Sequence, residues 1–216
     1  MNPGSPTCPV CRDGRTRVFV DVDGKAYFRC AGCECTFLDP TGRLAREAEH
    51  AYYLTHRNQP GDHGYRRFLL KLLQPLLDRL PPAREGLDFG CGPGPALAAM
   101  LGEAGHHVTL YDPAFHPDAS ALARSYDFIT CTEVLEHLHA PAATFEQLTR
   151  LLRPGGWLAV MTCFQTDDAR FAQWHYRRDP THVVFYREST LRHVAARHGL
   201  DIEVPCKDVA LMRKPA

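Results

Sequence analysis

The sequence predicts an α/β protein in which a mainly parallel sheet, flanked by helices, follows a small cysteine-rich β-hairpin. Three observations support this fold class. From residue 86 onward, short apolar runs typical of strands alternate with segments of helical periodicity, the pattern of a parallel sheet. A glycine-rich loop follows the first of these strands, at 90–94. Two C-x2-C pairs lie near the amino terminus.

The cysteine pairs predict a zinc ribbon over residues 1–40. Two thiolates of a C-x2-C pair reach one ion, and two such pairs complete a tetrahedral zinc site. Between the pairs, 17–22 alternates like a strand, Asp23-Gly24 suits a hairpin turn, and 25–29 returns as a second strand. We expect Cys35 to be a bystander, because one intervening residue after Cys33 is too short a spacing. The predicted ligands are Cys8, Cys11, Cys30 and Cys33.

Metal is expected to decide whether this ribbon folds. A segment of about 40 residues has too little core to be stable alone, whereas structural zinc contributes on the order of 10 kcal/mol. Residues 1–40 carry as many acidic as basic side chains, unlike the basic ribbons that bind nucleic acid. Substrate capture, docking of a protein partner and stabilisation of the amino terminus stay open as the role of the ribbon.

Residues 41–85 are predicted to form a helical linker or cap. Apolar residues recur at helical spacing in 43–53 and 65–80, and Pro60-Gly61 separates the two segments. The leucine face of the second segment is expected to pack on the sheet. Three side chains are candidates for a lid over a ligand: Tyr52, Tyr53 and His56.

Residues 86–216 are expected to form the main sheet and its helices. Strands are predicted at 86–90, 107–111, 126–131, 156–162, 200–204 and 208–213. Helices are predicted at 95–104, 140–152 and 188–198. The last two strands are expected to form a hairpin-like pair.

The glycine loop predicts a cradle for a nucleotide cofactor. Gly90, Gly92 and Gly94 permit positive φ and close approach of the backbone to a ligand, while the next helix presents unpaired N–H groups. The second strand ends on Asp112, which is suitably placed to accept hydrogen bonds from a ribose. The dinucleotide fingerprint G-x-G-x-x-G requires glycine where this chain has Pro95, so a nicotinamide-dependent oxidoreductase is disfavoured.

Three segments resemble, in the same order, the motifs of class I S-adenosylmethionine-dependent methyltransferases. DFGCGPG at 88–94 resembles their cofactor loop, and YDFITCTEVLEHL at 126–138 resembles their fourth strand and the helix after it. LRPGGWLAVM at 152–161 resembles their LkPGG turn and fifth strand. The resemblance covers roughly 86–212 and is closest to the small quinol-methylase-like members. It implies a Rossmann-like sheet whose last strand is antiparallel.

The resemblance also implies an S-adenosylmethionine site on the loops after the strands. Asp88 would organise the glycine loop, whose backbone would hold the methionine part, and Asp112 would contact the ribose hydroxyls. As local alternatives, Asp88 braces its loop and Asp112 initiates a turn. The implied cofactor-binding residues are Asp88, Gly90, Cys91, Gly92, Gly94, Asp112, Thr130, Cys131 and Thr132.

One departure from the family concerns the adenine. Only residues 113–125 separate Asp112 from the next predicted strand, where the family commonly has a helix, a third strand and another helix. The side chain that usually contacts adenine from that third strand has no clear counterpart. We therefore expect the backbone of the loop 114–122 to hold the adenine.

Two segments offer catalytic groups for methyl transfer, in which a protonated nucleophile needs a base. Residues 174–186 combine two imidazoles, arginines, a carboxylate and aromatic surfaces, which suit a polar or aromatic acceptor with an anionic group. His182 is the preferred base and His175 the second choice. Glu133 and His137 are four residues apart on a predicted helical turn and can share a face. The alternatives are a packed loop and a buried structural contact.

Composition excludes steering by net charge toward nucleic acid or an anionic membrane. The 216 residues include 25 basic and 25 acidic side chains, so we expect no nucleic-acid partner. No apolar run approaches the roughly 20 residues of a membrane span, and residues 1–7 lack the features of a signal peptide. Nine cysteines are typical of thiols kept reduced or bound to metal, and we expect a cytoplasmic protein.

The sequence thus predicts transfer of a methyl group from S-adenosylmethionine to an unidentified small-molecule acceptor, at oxygen or carbon. The alternative is a catalytically silent module that binds the cofactor or docks a partner. Turnover with any acceptor distinguishes the two.

Overall fold

The computed structural model of the protein describes residues 5–54 and 59–216. The strands in these ranges are β1 (Thr16–Val22), β2 (Lys25–Cys30), β3 (Thr36–Leu38), β4 (Glu85–Phe89), β5 (His107–Tyr111), β6 (Tyr126–Thr132), β7 (Leu152–Met161), β8 (Val184–Phe185), β9 (Asp201–Cys206) and β10 (Val209–Arg213). The helices are α1 (Arg46–Tyr53), α2 (His63–Leu77), α3 (Ala96–Glu103), α4 (Pro141–Leu151) and α5 (Glu188–Arg197). Short 3-10 turns join several of these elements.

The amino-terminal hairpin has the predicted form. β1 and β2 pair antiparallel, and the turn between them takes positive φ at Asp23 (56°) and Gly24 (74°). A turn of this kind matches the right-handed twist of the paired strands. β3 pairs with the other edge of β2, so the cysteine-rich segment builds a sheet rather than an isolated hairpin.

Two helices occupy the stretch between the ribbon and the main sheet. α2 begins after Asp62, whose side chain accepts a hydrogen bond from the backbone N–H of Tyr65 at 2.7 Å. Its buried face joins side chains of α3, β6 and β7 in one apolar cluster, as the leucine spacing predicted. The buried leucines of α2 are Leu69, Leu72, Leu73 and Leu76.

The main sheet confirms the predicted α/β fold class. Its strand order in the described chain is β5-β4-β6-β7-β10-β9. β5, β4, β6 and β7 are parallel, whereas β10 is antiparallel to both β7 and β9. The parallel strands bring their carboxyl ends to one edge, where open α/β sheets bind ligands. The antiparallel last strand agrees with the family resemblance.

The segment between β5 and β6 is short, and the structure contains no strand within 113–125. A β-bridge between Asp112 and His116 closes a tight loop, and a 3-10 turn over Ala119–Ala123 leads on toward β6. The two parallel strands β5 and β6 lie on opposite sides of β4. The loop after β5 lies at the ligand-binding edge and leads to β6 without the third strand that is common in the methyltransferase family.

The sequence did not predict that β8 joins the sheet of the ribbon. The order of this sheet within the described residues is β1-β2-β3-β8, with Thr36 opposite Phe185 and Phe37 opposite Val184. The backbone N–H of Leu38 donates to the carbonyl of Val183 at 2.9 Å. A strand from the carboxyl-terminal half thus completes the amino-terminal sheet.

Aromatic packing and one ion cluster reinforce this junction. The Phe185 ring lies edge-on to Phe171, at 5.1 Å between ring centroids, and to Tyr27, at 6.0 Å. The guanidinium of Arg29 on β2 donates to Asp168 at 2.7 Å, and Arg187 pairs with the same carboxylate. The ribbon and the main sheet share one continuous apolar cluster. None of the helices in the described ranges has the length and apolar character needed to cross a bilayer.

Candidate active site

A cleft of about 790 Å³ opens at the carboxyl ends of β4, β5 and β6. Its walls are the glycine loop at 90–93, the loop 111–115, the turn 132–139 and part of α1. This is the edge at which parallel sheets bind ligands, and the volume lies within the range of small-molecule sites, about 300–1,000 Å³. The cleft is therefore the candidate active site.

The glycine loop meets the steric demands that the sequence indicated. Gly90 has φ of 76°, and its N–H donates to the carbonyl of Tyr111 at 2.8 Å. A Cβ at Gly90 would lie 2.4 Å from a methyl carbon of Val134, so glycine is required there for packing. Gly92 has φ of 64° and open space where a side chain would be. Its backbone is thus accessible to a ligand in the cleft.

Asp112 holds two loops of the cleft together. One carboxylate oxygen accepts from the N–H of Gly92 at 3.1 Å, and the other from the N–H groups of Ala114 and Phe115 at 2.8 and 3.2 Å. The turn-forming role of Asp112 is therefore present in the structure. A carboxylate oxygen has further lone pairs, so these bonds leave capacity for ribose hydroxyls.

Four of the predicted cofactor-binding residues lie behind the surface of the cleft. Asp88 is buried and accepts from the hydroxyl of Thr130 at 2.7 Å, and burial raises the pKa of Asp88 to about 6. Cys131 is fully buried, and Gly94 accepts from the first N–H of α3 at 2.8 Å. These residues brace the loop. The predicted residues that line the cleft are Gly90, Cys91, Gly92, Asp112 and Thr132.

A buried carboxylate and two imidazoles lie next to one another in the lining of the cleft. Glu136 is fully buried, and one of its oxygens accepts from Thr162 Oγ1 at 2.9 Å. Its Oε1 has no hydrogen-bond partner among the described residues and lies 3.8 Å from Nε2 of His137. The rings of His137 and His182 are 4.6 Å apart between centroids. The ligand atoms of the three residues lie within 4.8 Å of one another, close enough to share a proton or a cation.

The hydrogen bonding of His182 fixes which nitrogen is the base. Nδ1 of His182 lies 2.7 Å from the carbonyl oxygen of Tyr176. A carbonyl only accepts, so Nδ1 carries the proton and the lone pair of the neutral ring is on Nε2. Burial and the neighbouring imidazole of His137 lower the pKa of His182. Near neutral pH the ring therefore presents an unprotonated Nε2.

The structure corrects the predicted arrangement of Glu133 and His137. Glu133 has φ of 53°, and the turn that follows it is 3-10 rather than α-helical, so a four-residue spacing no longer defines a shared face. The carboxylate beside His137 is that of Glu136. The sequence analysis missed Glu136, although it directly precedes His137 in the motif. Glu133 also lines the cleft, where burial and the Glu136 carboxylate raise its pKa to about 9.

The other predicted catalytic and lid residues have different locations. His175 is exposed in a 3-10 turn and does not line the cleft, whereas His182 lines it and is buried. Tyr53 also lines the cleft and lies edge-on to His137, with ring centroids 5.3 Å apart. His56 lies outside the described residues.

The four predicted zinc ligands converge in the ribbon. All four thiols are buried, and their Sγ atoms lie within 4.8 Å of one another. The distance from Cys8 to Cys33 is 3.6 Å and from Cys11 to Cys30 is 3.5 Å between Sγ atoms. Tetrahedral zinc with Zn–S of about 2.3 Å separates its sulfurs by about 3.8 Å, so the donor set fits this ion. Cys35, expected to be a bystander, is buried against the cluster, 3.4 Å from Cys8.

A methyltransferase domain family matches residues 61–203. The chain belongs to this methyltransferase family. The match includes the glycine loop, Asp112 and His182, and it confirms the resemblance that the three sequence motifs indicated. It gives no support to a nicotinamide-dependent enzyme.

Curated relatives cover part of the chain. The ubiquinone biosynthesis O-methyltransferase of Paracidovorax citrulli is 35% identical in an alignment of 113 residues that covers 40% of this chain and 47% of the relative. The protein of the same name from Xylella fastidiosa is 34% identical in an alignment of 106 residues that covers 37% of this chain and 42% of the relative. The matched region is thus less than half of either relative.

Solved structures support the fold. A SAM-dependent methyltransferase from Methanosarcina mazei aligns with a TM-score of 0.50 and 17% identity, over 65% of this chain and 97% of that chain. Magnesium protoporphyrin IX methyltransferase from Synechocystis PCC 6803, solved with bound SAM, aligns with a TM-score of 0.52 and 16% identity. The alignment covers 79% of this chain and 92% of that chain. At these identities the likeness concerns the fold alone.

We predict that NMR titration places the pKa of His182 below the ordinary histidine value of about 6.5. Burial and His137 disfavour the charged ring, so His182 is neutral at pH 7 and takes up a proton only on acidification. The His137→Gln variant should raise this pKa, because it removes the imidazole that disfavours the charged form of His182. The Glu136→Gln variant should lower it, because the Glu136 carboxylate favours the charged imidazole.

These two variants are controls for each other, since they replace neighbouring side chains with the same amide. A wild-type pKa at or above 6.5, or shifts of the same sign in both variants, contradicts the assigned surroundings of His182.

Proposed function

We propose that the protein transfers a methyl group from S-adenosylmethionine to a small-molecule acceptor, at oxygen or carbon. One observation carries this proposal. A single cleft in a chain of the methyltransferase family has the glycine loop and Asp112 on one wall and the free Nε2 of His182 on another. The proposed cofactor-binding groups and the proposed base thus line the same cleft.

The walls of the cleft fit the parts of the cofactor. We assign the backbone of Gly90, Cys91 and Gly92 to the methionine part, Asp112 to the ribose hydroxyls, and the loop that includes Phe115 to the adenine. Thr132, at the end of β6, borders the same space. When bound, S-adenosylmethionine supplies an electrophilic methyl group on a sulfonium. The residues braced behind the cleft, Asp88, Gly94, Thr130 and Cys131, keep the loop in place.

The base we propose is Nε2 of His182. Methyl transfer requires the nucleophile to be held near the methyl carbon, away from water, and a hydroxyl becomes reactive as its proton leaves. His182 accepts this proton while its Nδ1–H stays bonded to the carbonyl of Tyr176. The Glu136 carboxylate favours the resulting imidazolium, and His137 lies beside both residues. The exposed His175 has no role in this proposal.

The relatives and the buried base both favour an enzyme over a silent module. The curated relatives are named for O-methylation in ubiquinone biosynthesis, which supports an oxygen acceptor here. A module that only bound the cofactor would have no need of the group formed by Glu136, His137 and His182, which are costly to bury.

We propose further that the ribbon binds structural zinc through Cys8, Cys11, Cys30 and Cys33. The fit of the four thiols to a tetrahedral ion supports this. The balanced charge of the ribbon argues against a nucleic-acid partner. Reduced thiols are typical of the cytoplasm, which is the compartment we propose. A protein partner of the ribbon stays open.

The cofactor assignment predicts that calorimetry detects micromolar binding of S-adenosylhomocysteine and no binding of NADH. Asp112→Ala should weaken the binding of S-adenosylhomocysteine by about 1.5–3 kcal/mol, because it removes a charged acceptor and releases the loop at Gly92.

Asp118→Ala is the matched control, because Asp118 caps the 3-10 turn of the same loop but does not line the cleft. Equal affinities of the two variants, or no binding to the folded wild type, would refute the assignment.

The zinc assignment predicts one zinc ion per chain, measured by elemental mass spectrometry of purified protein. Cys11→Ser should lose the metal, because it removes one of four ligands. Cys35→Ser is the matched control and should retain it. Loss of zinc from Cys35→Ser with retention in Cys11→Ser would show that the ligand set is different.

A further inference from the structure

A second cavity lies between the ribbon and the loop that carries His182. Its volume is about 290 Å³, near the lower end of small-molecule sites. One wall is the ribbon hairpin, with Asp23, Lys25, Tyr27 and Leu38, and the other wall is the segment 177–182. The ribbon wall of this cavity lies outside the matched methyltransferase domain, which begins at residue 61.

This second cavity adjoins the cleft of the candidate active site, here called the cofactor cleft, at His182, the proposed catalytic base. Asp179 and His182 line both spaces. A molecule in the second cavity therefore lies within reach of the same imidazole that faces the cofactor cleft. Such a molecule can contact His182 while the larger space holds the cofactor.

The charges of the second cavity favour an anion. Three cationic side chains, Lys25, Arg177 and Arg178, line it against two carboxylates. Asp179 is held in place, because its Oδ1 accepts from the N–H and the hydroxyl of Thr181 at 2.9 and 2.5 Å, and its Oδ2 lies 3.9 Å from Nε2 of His182. The Asp23 side chain is 80% exposed, so water weakens its repulsion of an anion without abolishing it.

Arg177 supplies an independent sign of a missing ligand. Its side chain is only 9% exposed, and its buried Nε has no hydrogen-bond partner among the described residues. Its ion pair with Asp23 has a nitrogen–oxygen distance of 3.6 Å, whereas the corresponding distance from Arg29 to Asp168 is 2.7 Å. Buried guanidinium groups normally engage in short, bidentate contacts with carboxylates or phosphates. Arg177 is thus largely buried, and its one ion pair among the described residues is a long contact with an exposed carboxylate.

We propose that this cavity is the acceptor subsite, and that it takes a small acceptor whose carboxylate or phosphate pairs with Arg177 and Lys25. This inference rests on the proposed methyl transfer. The ribbon then forms one wall of the acceptor site, with Tyr27, Leu38 and Pro180 against the apolar body of the acceptor. His182 accepts the proton from the acceptor hydroxyl at the junction of the two cavities.

The test is calorimetric titration of the zinc-loaded protein, saturated with S-adenosylhomocysteine, using benzoate, phenyl phosphate and phenol as probes. The two anions carry the proposed groups on one ring, and their comparison distinguishes a carboxylate from a phosphate site. Phenol is the matched neutral ring. We expect at least one anion to bind about tenfold or more tightly than phenol. Equal binding of phenol and both anions overturns the proposal.

Two substitutions should act in opposite directions. Arg177→Gln should weaken binding of the preferred anion about tenfold or more. Asp23→Asn should tighten it, because the side chain that competes for Arg177 loses its charge. A merely structural Arg177–Asp23 pair predicts no gain from Asp23→Asn, so this variant remains informative even if Arg177→Gln folds poorly. Unchanged or weaker anion binding by Asp23→Asn overturns the proposal.

Controls separate this inference from the proposed function. Asp201→Asn removes an exposed carboxylate that does not line the cavity and should leave anion binding unchanged. The affinity for S-adenosylhomocysteine should be the same in wild type and Asp23→Asn. If S-adenosylhomocysteine does not bind, the proposed function fails and the acceptor subsite fails with it. If it binds and no anion does, the acceptor subsite alone is refuted.

Discussion

The junction between β3 and β8 is the contact on which the rest of the site depends. Val183 is its central residue: its carbonyl accepts from Leu38 on β3 at 2.9 Å, and its N–H donates to the carbonyl of Glu136 at 2.8 Å. His182 directly precedes Val183, and His137 directly follows Glu136. The ribbon, the base and the turn after β6 are therefore held by two consecutive backbone hydrogen bonds, and the ribbon is a structural part of the site.

Two different parts of the structure form the proposed cofactor site and the proposed acceptor subsite. In the proposed cofactor site, the carboxyl ends of the parallel strands supply the backbone, since Gly90 and Gly92 take positive φ at the end of β4 and Asp112 ties their loop to the next. In the proposed acceptor subsite, the ribbon and the segment 177–182 supply side chains of both charges. Because His182 lies where the two volumes meet, the proposed proton transfer needs no large movement of the chain.

Local sequence signals predicted most elements and the residues that act through local geometry. Hydrophobic periodicity located the main strands, C-x2-C spacing located the thiol cluster, and the glycine loop located the cleft. The β3–β8 pairing was not predictable, because Val184 and Phe185 form a two-residue strand whose partner is remote in sequence. Glu136 was missed because the left-handed backbone at Glu133 breaks the assumed helix. The sequence also could not show that His182 is buried and His175 exposed, because this difference depends on tertiary packing of the His182 ring against Tyr176.

The central claim is that one continuous site holds the cofactor on the glycine loop with its reactive end toward His182. The most direct test is a crystal structure of the zinc-loaded protein with S-adenosylhomocysteine. We predict a ribose on Asp112, adenine along the loop 113–115, and the thioether sulfur facing the side of the cleft that carries Nε2 of His182. A ligand bound elsewhere, or one whose sulfur faces away from His182 and the ribbon, would contradict the account.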